Sequence, residues 1–188
     1  MYDYGYVIVV SWLALMAVWV FGSFTTKRDA SSRPRIVLWL WSIFLLGLLI
    51  FVLLQNPHDD AWALERRFFN FGSVVGWVGA LLTVIGIAFA IWARYCLGRN
   101  WGSGQKEDPV LVTNGPYAFV RHPIYTGAIL ALFGGVLTGS IVAVALFIIS
   151  IFFCLHRIKK EEGAMLSLFP GRYPAYQAHA RKFIPFVW

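Results

Sequence analysis

Long apolar runs separated by short charged stretches set the pattern of this chain. Three of them, Tyr6–Phe24, Ile36–Leu54 and Phe71–Ala93, reach the length of about 20 residues that a helix needs to cross the hydrocarbon of a bilayer. A fourth, Ile124–Leu155, holds 32 residues. As one helix it would rise roughly 48 Å, too far for a simple crossing. Gly134, Gly135 and Gly139 interrupt it, so the pattern predicts two short helices joined near Thr138–Ser140 as a hairpin. No Lys or Arg precedes the first run, which is also longer than a signal-peptide core; a retained span is expected.

Basic residues sort with the hairpin. Lys27, Arg28, Arg33 and Arg35 follow the first run; Arg94, Arg99, Lys106 and Arg121 follow the third; Arg157, Lys159, Lys160, Arg172, Arg181 and Lys182 follow the fourth. With five helices and the N-terminus outside, all fourteen lie on the cytosolic face, and only Arg66 and Arg67 fall opposite. A four-helix arrangement would move the last six across the membrane, against the excess of Lys and Arg that cytosolic loops carry. The fold class is therefore an all-α integral membrane protein with five transmembrane helices, the last two a helical hairpin, followed by a cytosolic C-terminal segment. Residues 1–70 form an N-terminal two-helix region. Residues 71–188 form the third helix and the functional core of what is one domain overall. The pattern does not distinguish a plasma or inner membrane from the endoplasmic reticulum.

Composition agrees. Of the 188 residues 59% are apolar and 13% charged, against roughly 45–50% and 25% in soluble domains. The formal charge of +7 sits beside hydrophobic spans, which fits a membrane surface rather than nucleic acid. Cys96 and Cys154 form no close pair and read as small packing residues. His58, His122, His156 and His179 show no metal-ligand spacing, so no metal centre is expected. No GxGxxG follows a strand, and no GxxxxGK[ST] is present; "WGSGQ" at 101–105 is too short and wrongly placed for a nucleotide fingerprint.

Polar chemistry gathers instead at the start of the fourth run, in "NGPYAFVRHPIYTG", Asn114 to Gly127. Pro123 suits the first helical position and holds His122 extended before it. Gly115 and Gly127 permit close approach of backbone or ligand. Interfacial anchoring alone would explain a Tyr and an Arg here. The hairpin adds a second observation, because it returns Glu161–Glu162 to the same face as Arg121–Pro123, from 35 or more residues away in sequence. On an isolated helix those carboxylates would simply pair with Lys159 and Lys160 in solvent. Facing the arginine and the aromatic rings, they suit a ligand with a ribose diol, a carboxylate and a positive charge. S-adenosylmethionine is such a ligand. The C-terminal "FPGRYPAYQAHARKFIPFVW" mixes aromatic and basic residues, as an interfacial segment or a lid over the helix ends would.

These stretches, "GPYAFVRHPIYTG", the later "EE" and "FPGRYPAYQAHARKFIPF", together with "RYCLGRNWGSG", resemble the isoprenylcysteine carboxyl methyltransferase family, integral membrane enzymes related to the phospholipid N-methyltransferases. The resemblance covers about residues 94–188; the first two runs match only in hydropathy. It implies that Gly115, Pro116, Tyr117, Arg121, His122, Pro123, Tyr125 and Gly127 wrap S-adenosylmethionine. It also implies that Glu161 and Glu162 lie near the cofactor's ribose or amino end. Tyr173 and Tyr176 correspond to the family's C-terminal tyrosines, and Arg181 to its basic position before the final proline. "FPGRY" departs from the family pattern, which often has an acidic residue between Phe and Tyr.

The function expected is S-adenosylmethionine-dependent methyl transfer to a lipophilic acceptor, the carboxylate of an isoprenylated cysteine or a lipid-like relative. Arg121 would orient the acceptor carboxylate or bind the cofactor's own. Two alternatives differ in class. A membrane sterol-type reductase using NADPH would need more cations for its phosphates than this motif offers. A scaffold or transporter subunit would place ionisable groups at mid-membrane, whereas the three long runs carry none.

Overall fold

The computed structural model describes residues 4–25, 71–98 and 110–183. The run Ile36–Leu54 and the "WGSGQ" stretch lie outside the described residues. Among those described, regular structure is helical: α1 (Tyr4–Thr25), α2 (Gly72–Leu97), a 3-10 turn (Gly115–Ala118), α3 (Pro123–Val136), α4 (Ile141–Leu168) and α5 (Arg172–His179). One parallel β-bridge joins Val120 to Arg181.

Three of these helices, α1, α2 and α4, are long and apolar enough to cross a membrane. Their outward faces carry Val10, Phe21, Val74, Leu81, Ile149 and Phe152 in the open, an arrangement that lipid tolerates and water does not. The first and third runs are thus helices as expected, with one change of boundary. The third run continues four residues past Ala93, so that Arg94 is inside α2 and buried.

Small residues decide how α2 meets α3. Gly79 lies on Gly134 and Gly86 on Gly127, and a methyl group added to any of the four would strike backbone of the opposite helix. The pairing order makes the two helices antiparallel, and the seven-residue spacing within each pair keeps both contacts on one stripe of each helix. Glycine is needed there because main chain touches main chain, the usual way for membrane helices to gain dispersion energy without a hydrophobic drive between them. Thr83, fully buried between the two glycine pairs, sets its hydroxyl 3.0 Å from the carbonyls of both Gly79 and Ala131. Beside this seam Leu15, Ile87, Ala90 and Ala131 form the apolar core, with Trp12, Trp19 and Ile91 packed against it.

Helix α1 runs parallel to α2: Tyr4 sits against Gly76 and Trp77 at one end, and Gly22 against Arg94 at the other.

The fourth run divides where its glycines predict. Helix α3 ends at Val136, and Ser140 caps α4 by accepting from the Ala143 N–H. Thr138 and Gly139 close the turn on the Gly135 and Val136 carbonyls, so the reversal satisfies its own backbone, as it must in an apolar medium. The expected two short helices are unequal, however. At 14 residues α3 rises only about 21 Å, while α4 runs for 28 residues because nothing in "HRIKKEEGAMLSL" breaks a helix. Phe133 and Phe147 meet near the turn with ring centroids 5.7 Å apart and planes tilted by 47°. Towards the other end α4 leaves the bundle and buries only Cys154 and Ile158.

Candidate functional site

Where α3 and α4 diverge, long polar side chains fill the interval. Pro123 is the first residue of α3, and His122 immediately precedes it, as the sequence predicts. That start aims Arg121, His122 and Tyr125 across the gap at α4, where Glu161 and Glu162 project back. Arg121 Nε donates to Glu162 Oε1 at 3.0 Å, and His122 Nε2 lies 3.4 Å from the same oxygen. The other Glu162 oxygen faces Lys182 Nζ at 3.4 Å. Glu161 accepts from the Tyr125 hydroxyl at 2.7 Å and from Arg157 Nε at 3.0 Å, while its second oxygen is 3.8 Å from His122 Nδ1. The His122 and Tyr125 rings stack with centroids 5.9 Å apart.

The two carboxylates differ in setting. Glu162 is 13% exposed and enclosed by three nitrogen groups, whereas Glu161 is 25% exposed and pairs with an Arg157 that is itself 44% exposed. Glu162 is therefore a closed node and Glu161 the more open face of the pair. Their partners are Arg157 and Lys182 rather than the neighbouring Lys159 and Lys160.

As far as Phe183, the C-terminal segment folds back against the motif. Backbone bonds tie it to the motif: the Arg121 N–H donates to the Arg181 carbonyl at 2.7 Å, and the Arg181 N–H donates to Phe119 at 3.2 Å. Arg121 Nη1 reaches the Gln177 and Ala180 carbonyls at 3.2 and 2.7 Å. Those carbonyls belong to the last turn of α5 and its C-cap, where a guanidinium also meets the negative end of the helix dipole. Tyr176 donates its hydroxyl to the Tyr117 carbonyl at 2.6 Å, and Thr126 Oγ1 donates to Phe183 at 2.7 Å. Burial pushes the Tyr173 phenol up to about 12, and drives Tyr117 and Tyr176 upward as well. All three stay neutral at ordinary pH.

Other residues named from the sequence take different places. Gly115 has a φ of +59° and lies against Cys96 and Trp92, so it seats the motif on the last turn of α2. Gly127, two residues from Tyr125 and thus on the opposite side of α3, packs against Gly86 and Ala90 instead of joining the carboxylates. Pro116 and Tyr117 are buried in the 3-10 turn. Arg181 contributes through its backbone. Sequence reading missed Lys182, Arg157 and the Tyr176–Tyr117 bond as parts of the site. Arg157 was legible as the residue four before Glu161; the others depend on the chain reversal. Among the described residues no three His, Cys, Asp or Glu side chains are placed to hold a metal ion.

With this geometry in hand, comparison with known proteins decides the relationship. Residues 78–167, from α2 through both glutamates, match the family model of the isoprenylcysteine carboxyl methyltransferases. A protein-S-isoprenylcysteine O-methyltransferase of Schizosaccharomyces pombe is 37% identical over 45% of this chain and 37% of its own length. The nickel-cobalt-cadmium resistance protein NccN of Alcaligenes xylosoxydans xylosoxydans is 30% identical over 80% of this chain and 63% of its own. The chain thus spans less than two thirds of the length of either relative. A solved structure of the eukaryotic intramembrane Ras methyltransferase, an isoprenylcysteine carboxyl methyltransferase, superposes with a TM-score of 0.58 at 22% identity, covering 100% of this chain and 79% of that one. That likeness shows a shared fold.

Proposed function

We propose that this chain is a multi-pass membrane methyltransferase that uses S-adenosylmethionine and methylates a lipophilic acceptor, foremost the carboxylate of an isoprenylated cysteine. The observation that carries this reading is the convergence of Glu161 and Glu162 with Arg121, His122 and Tyr125 at the charged end of the hairpin. The match of residues 78–167 to the family model of the isoprenylcysteine carboxyl methyltransferases supports it.

The groups present fit the cofactor. Glu161, the more open carboxylate, has acceptor capacity for a ribose diol or an ammonium group. The Tyr125 ring offers a face to a cation. An NADPH site is a poorer match, since the cations of this cluster, Arg121, Arg157 and Lys182, are each already paired with a carboxylate. When bound, S-adenosylmethionine supplies a methyl group already activated on a sulfonium. What remains for the protein is to hold the acceptor in line and exclude water. The α5 segment does the second, anchored over the motif by Tyr176 and Arg121. An acceptor carboxylate needs no general base, so the neutral tyrosines and the ion-paired glutamates suffice, whereas an amine acceptor would have to lose a proton first. We assign Gly115, Pro116, Tyr117, His122, Pro123, Tyr125, Glu161 and Glu162 to the cofactor's surroundings and Gly127 to the packing behind them. Arg121, engaged with Glu162 and two carbonyls, acts by fixing Glu162 and the C-terminal segment.

We also place five spans in the chain, with the N-terminus outside and the site and C-terminus in the cytosol. The parallel order of α1 and α2 supports this, because one intervening crossing gives that order. Residues 1–70 would then form an N-terminal region against the core of residues 71–188.

Calorimetric titration of the detergent-purified protein with S-adenosylhomocysteine, and in parallel with NADPH, tests the reading. Binding of the first alone is expected. Binding of NADPH alone would make the protein a reductase, and silence from both in folded protein would remove the enzyme reading.

A further inference from the structure

A buried cation stands outside the cluster just described. Arg94, in the last turn of α2, is 5% exposed, at a depth where an ionisable side chain needs a reason to be. Its guanidinium bonds the ends of two helices. Nη1 donates to the Gly98 carbonyl at 2.9 Å, just past the end of α2, and Nη2 donates to the Gly22 carbonyl at 3.0 Å. Gly22 lies in the last turn of α1. Because α1 and α2 are parallel, both present the negative end of their dipoles here, and one positive charge serves both.

Gly22 is shaped for this contact. A methyl group there would stand 2.8 Å from Nη2 and 3.3 Å from Cζ, so the guanidinium lies flat on bare backbone. The clasp is also next to the site motif. The turn of α2 that carries Arg94 carries Cys96 as well, and Cys96 Sγ would lie 2.8 Å from a methyl group at Gly115. Gly98 leaves α2 with a φ of +49°. The Tyr117 phenol, raised foremost by burial, is pulled the other way by Arg94, which places the two groups within electrostatic reach.

We infer that Arg94 is a positioning residue for the cofactor motif. By clasping the ends of α1 and α2 it fixes the platform on which Gly115–Arg121 is seated. No bond from Arg94 to a ligand is required. In its absence α1 loses its hold on α2, the last turn of α2 loosens, and the 3-10 turn above it shifts relative to Glu161 and Glu162. The statement about ligand binding rests on the methyltransferase reading; the statement about the platform does not.

The test compares full-length wild type with Arg94→Met, Arg94→Lys and Gly22→Ala in the same detergent, by amide hydrogen exchange and by S-adenosylhomocysteine titration. Arg94→Met is expected to speed exchange in 114–121 at least tenfold, to leave the α3–α4 turn protected, and to weaken S-adenosylhomocysteine at least tenfold. Arg94→Lys, which keeps the charge but not the fork, should recover part of both losses. Gly22→Ala, which displaces the guanidinium without removing it, should reproduce the loss in weaker form, and it carries the test if Arg94→Met does not fold. Unchanged exchange in 114–121 with intact ligand affinity in Arg94→Met and Gly22→Ala overturns the inference, as does loosening confined to α1. Failure of wild type to bind S-adenosylhomocysteine would count against the methyltransferase reading alone, with the exchange data still deciding the role of Arg94.

Discussion

Helix α3 has two sides that solve opposite problems. Towards α2 it presents Gly127, Ala131 and Gly134, and the two backbones touch. Towards α4 it presents Tyr125, with Arg121 and His122 just before it, and these reach across a gap to two glutamates. On the first side the helices approach until, at the glycines, no side chain fits between them; on the second they part until only the longest ones span. Contact of the first kind is apolar, short-range and indifferent to salt. Contact of the second is charged and directional, and can exchange a protein partner for a ligand group of the same chemistry. The rigid side holds the hairpin still so that the adjustable side can bind.

Breaking the rigid side should cost most. Gly86→Leu or Gly127→Leu forces a side chain into opposing backbone, and overpacking of about 3 kcal/mol or more is expected. Size-exclusion chromatography and thermal unfolding in detergent should show aggregated or strongly destabilised protein whatever the ionic strength. A variant that unfolds like wild type would mean that the seam is not the frame. On the adjustable side, Glu162→Gln and His122→Ala should keep the helical circular dichroism yet weaken S-adenosylhomocysteine about tenfold or more. Wild-type affinity in both would remove the site from this cluster.

Smaller effects sharpen the contrast. Tyr176→Phe removes one neutral hydrogen bond to the Tyr117 carbonyl, worth about 0.5–1.5 kcal/mol. It should raise amide exchange in 172–183 without altering that of α2. Arg157→Gln touches an exposed pair one helical turn from Glu161, worth about 0.3–0.5 kcal/mol. Its effect on the melting temperature should disappear in high salt, and a larger effect would place Arg157 on the ligand.

Much of this was legible in the sequence, for reasons that differ by residue. Apolar length gave α1 and α2, and the glycines of "FGGVLTGS" gave the turn between α3 and α4. Proline chemistry gave the start of α3 at Pro123, and charge sorting brought the two glutamates to Arg121 and His122. Three features were not legible. Gly127 looked like a place for a ligand, because a glycine that admits a helix and one that admits a cofactor read alike until the neighbour is known. Arg94 looked like a loop charge, since apolarity ends one residue earlier while helix hydrogen bonding continues to Leu97. The length of α4 was hidden for the converse reason: its charged extension is helical without being apolar. Lys182 joined Glu162 through a chain reversal that no periodicity encodes.

The brevity of α3 bears on how the molecule meets bilayers of different thickness. At 14 residues it stops well short of the roughly 30 Å of hydrocarbon, and its turn is sealed by its own hydrogen bonds. Helices α1 and α2, with 22 and 26 residues, must tilt or stretch their surroundings to match a thinner or thicker membrane. The hairpin tip satisfies its own backbone and needs no partner at a far surface. Thickness therefore acts on the outer helices and leaves the depth of the hairpin governed by its charged end, where the glutamates stand. The geometry of the charged cluster is in this way insulated from lipid composition, and any mechanical stress between the two groups of helices is concentrated on the glycine contacts at Gly79 and Gly86.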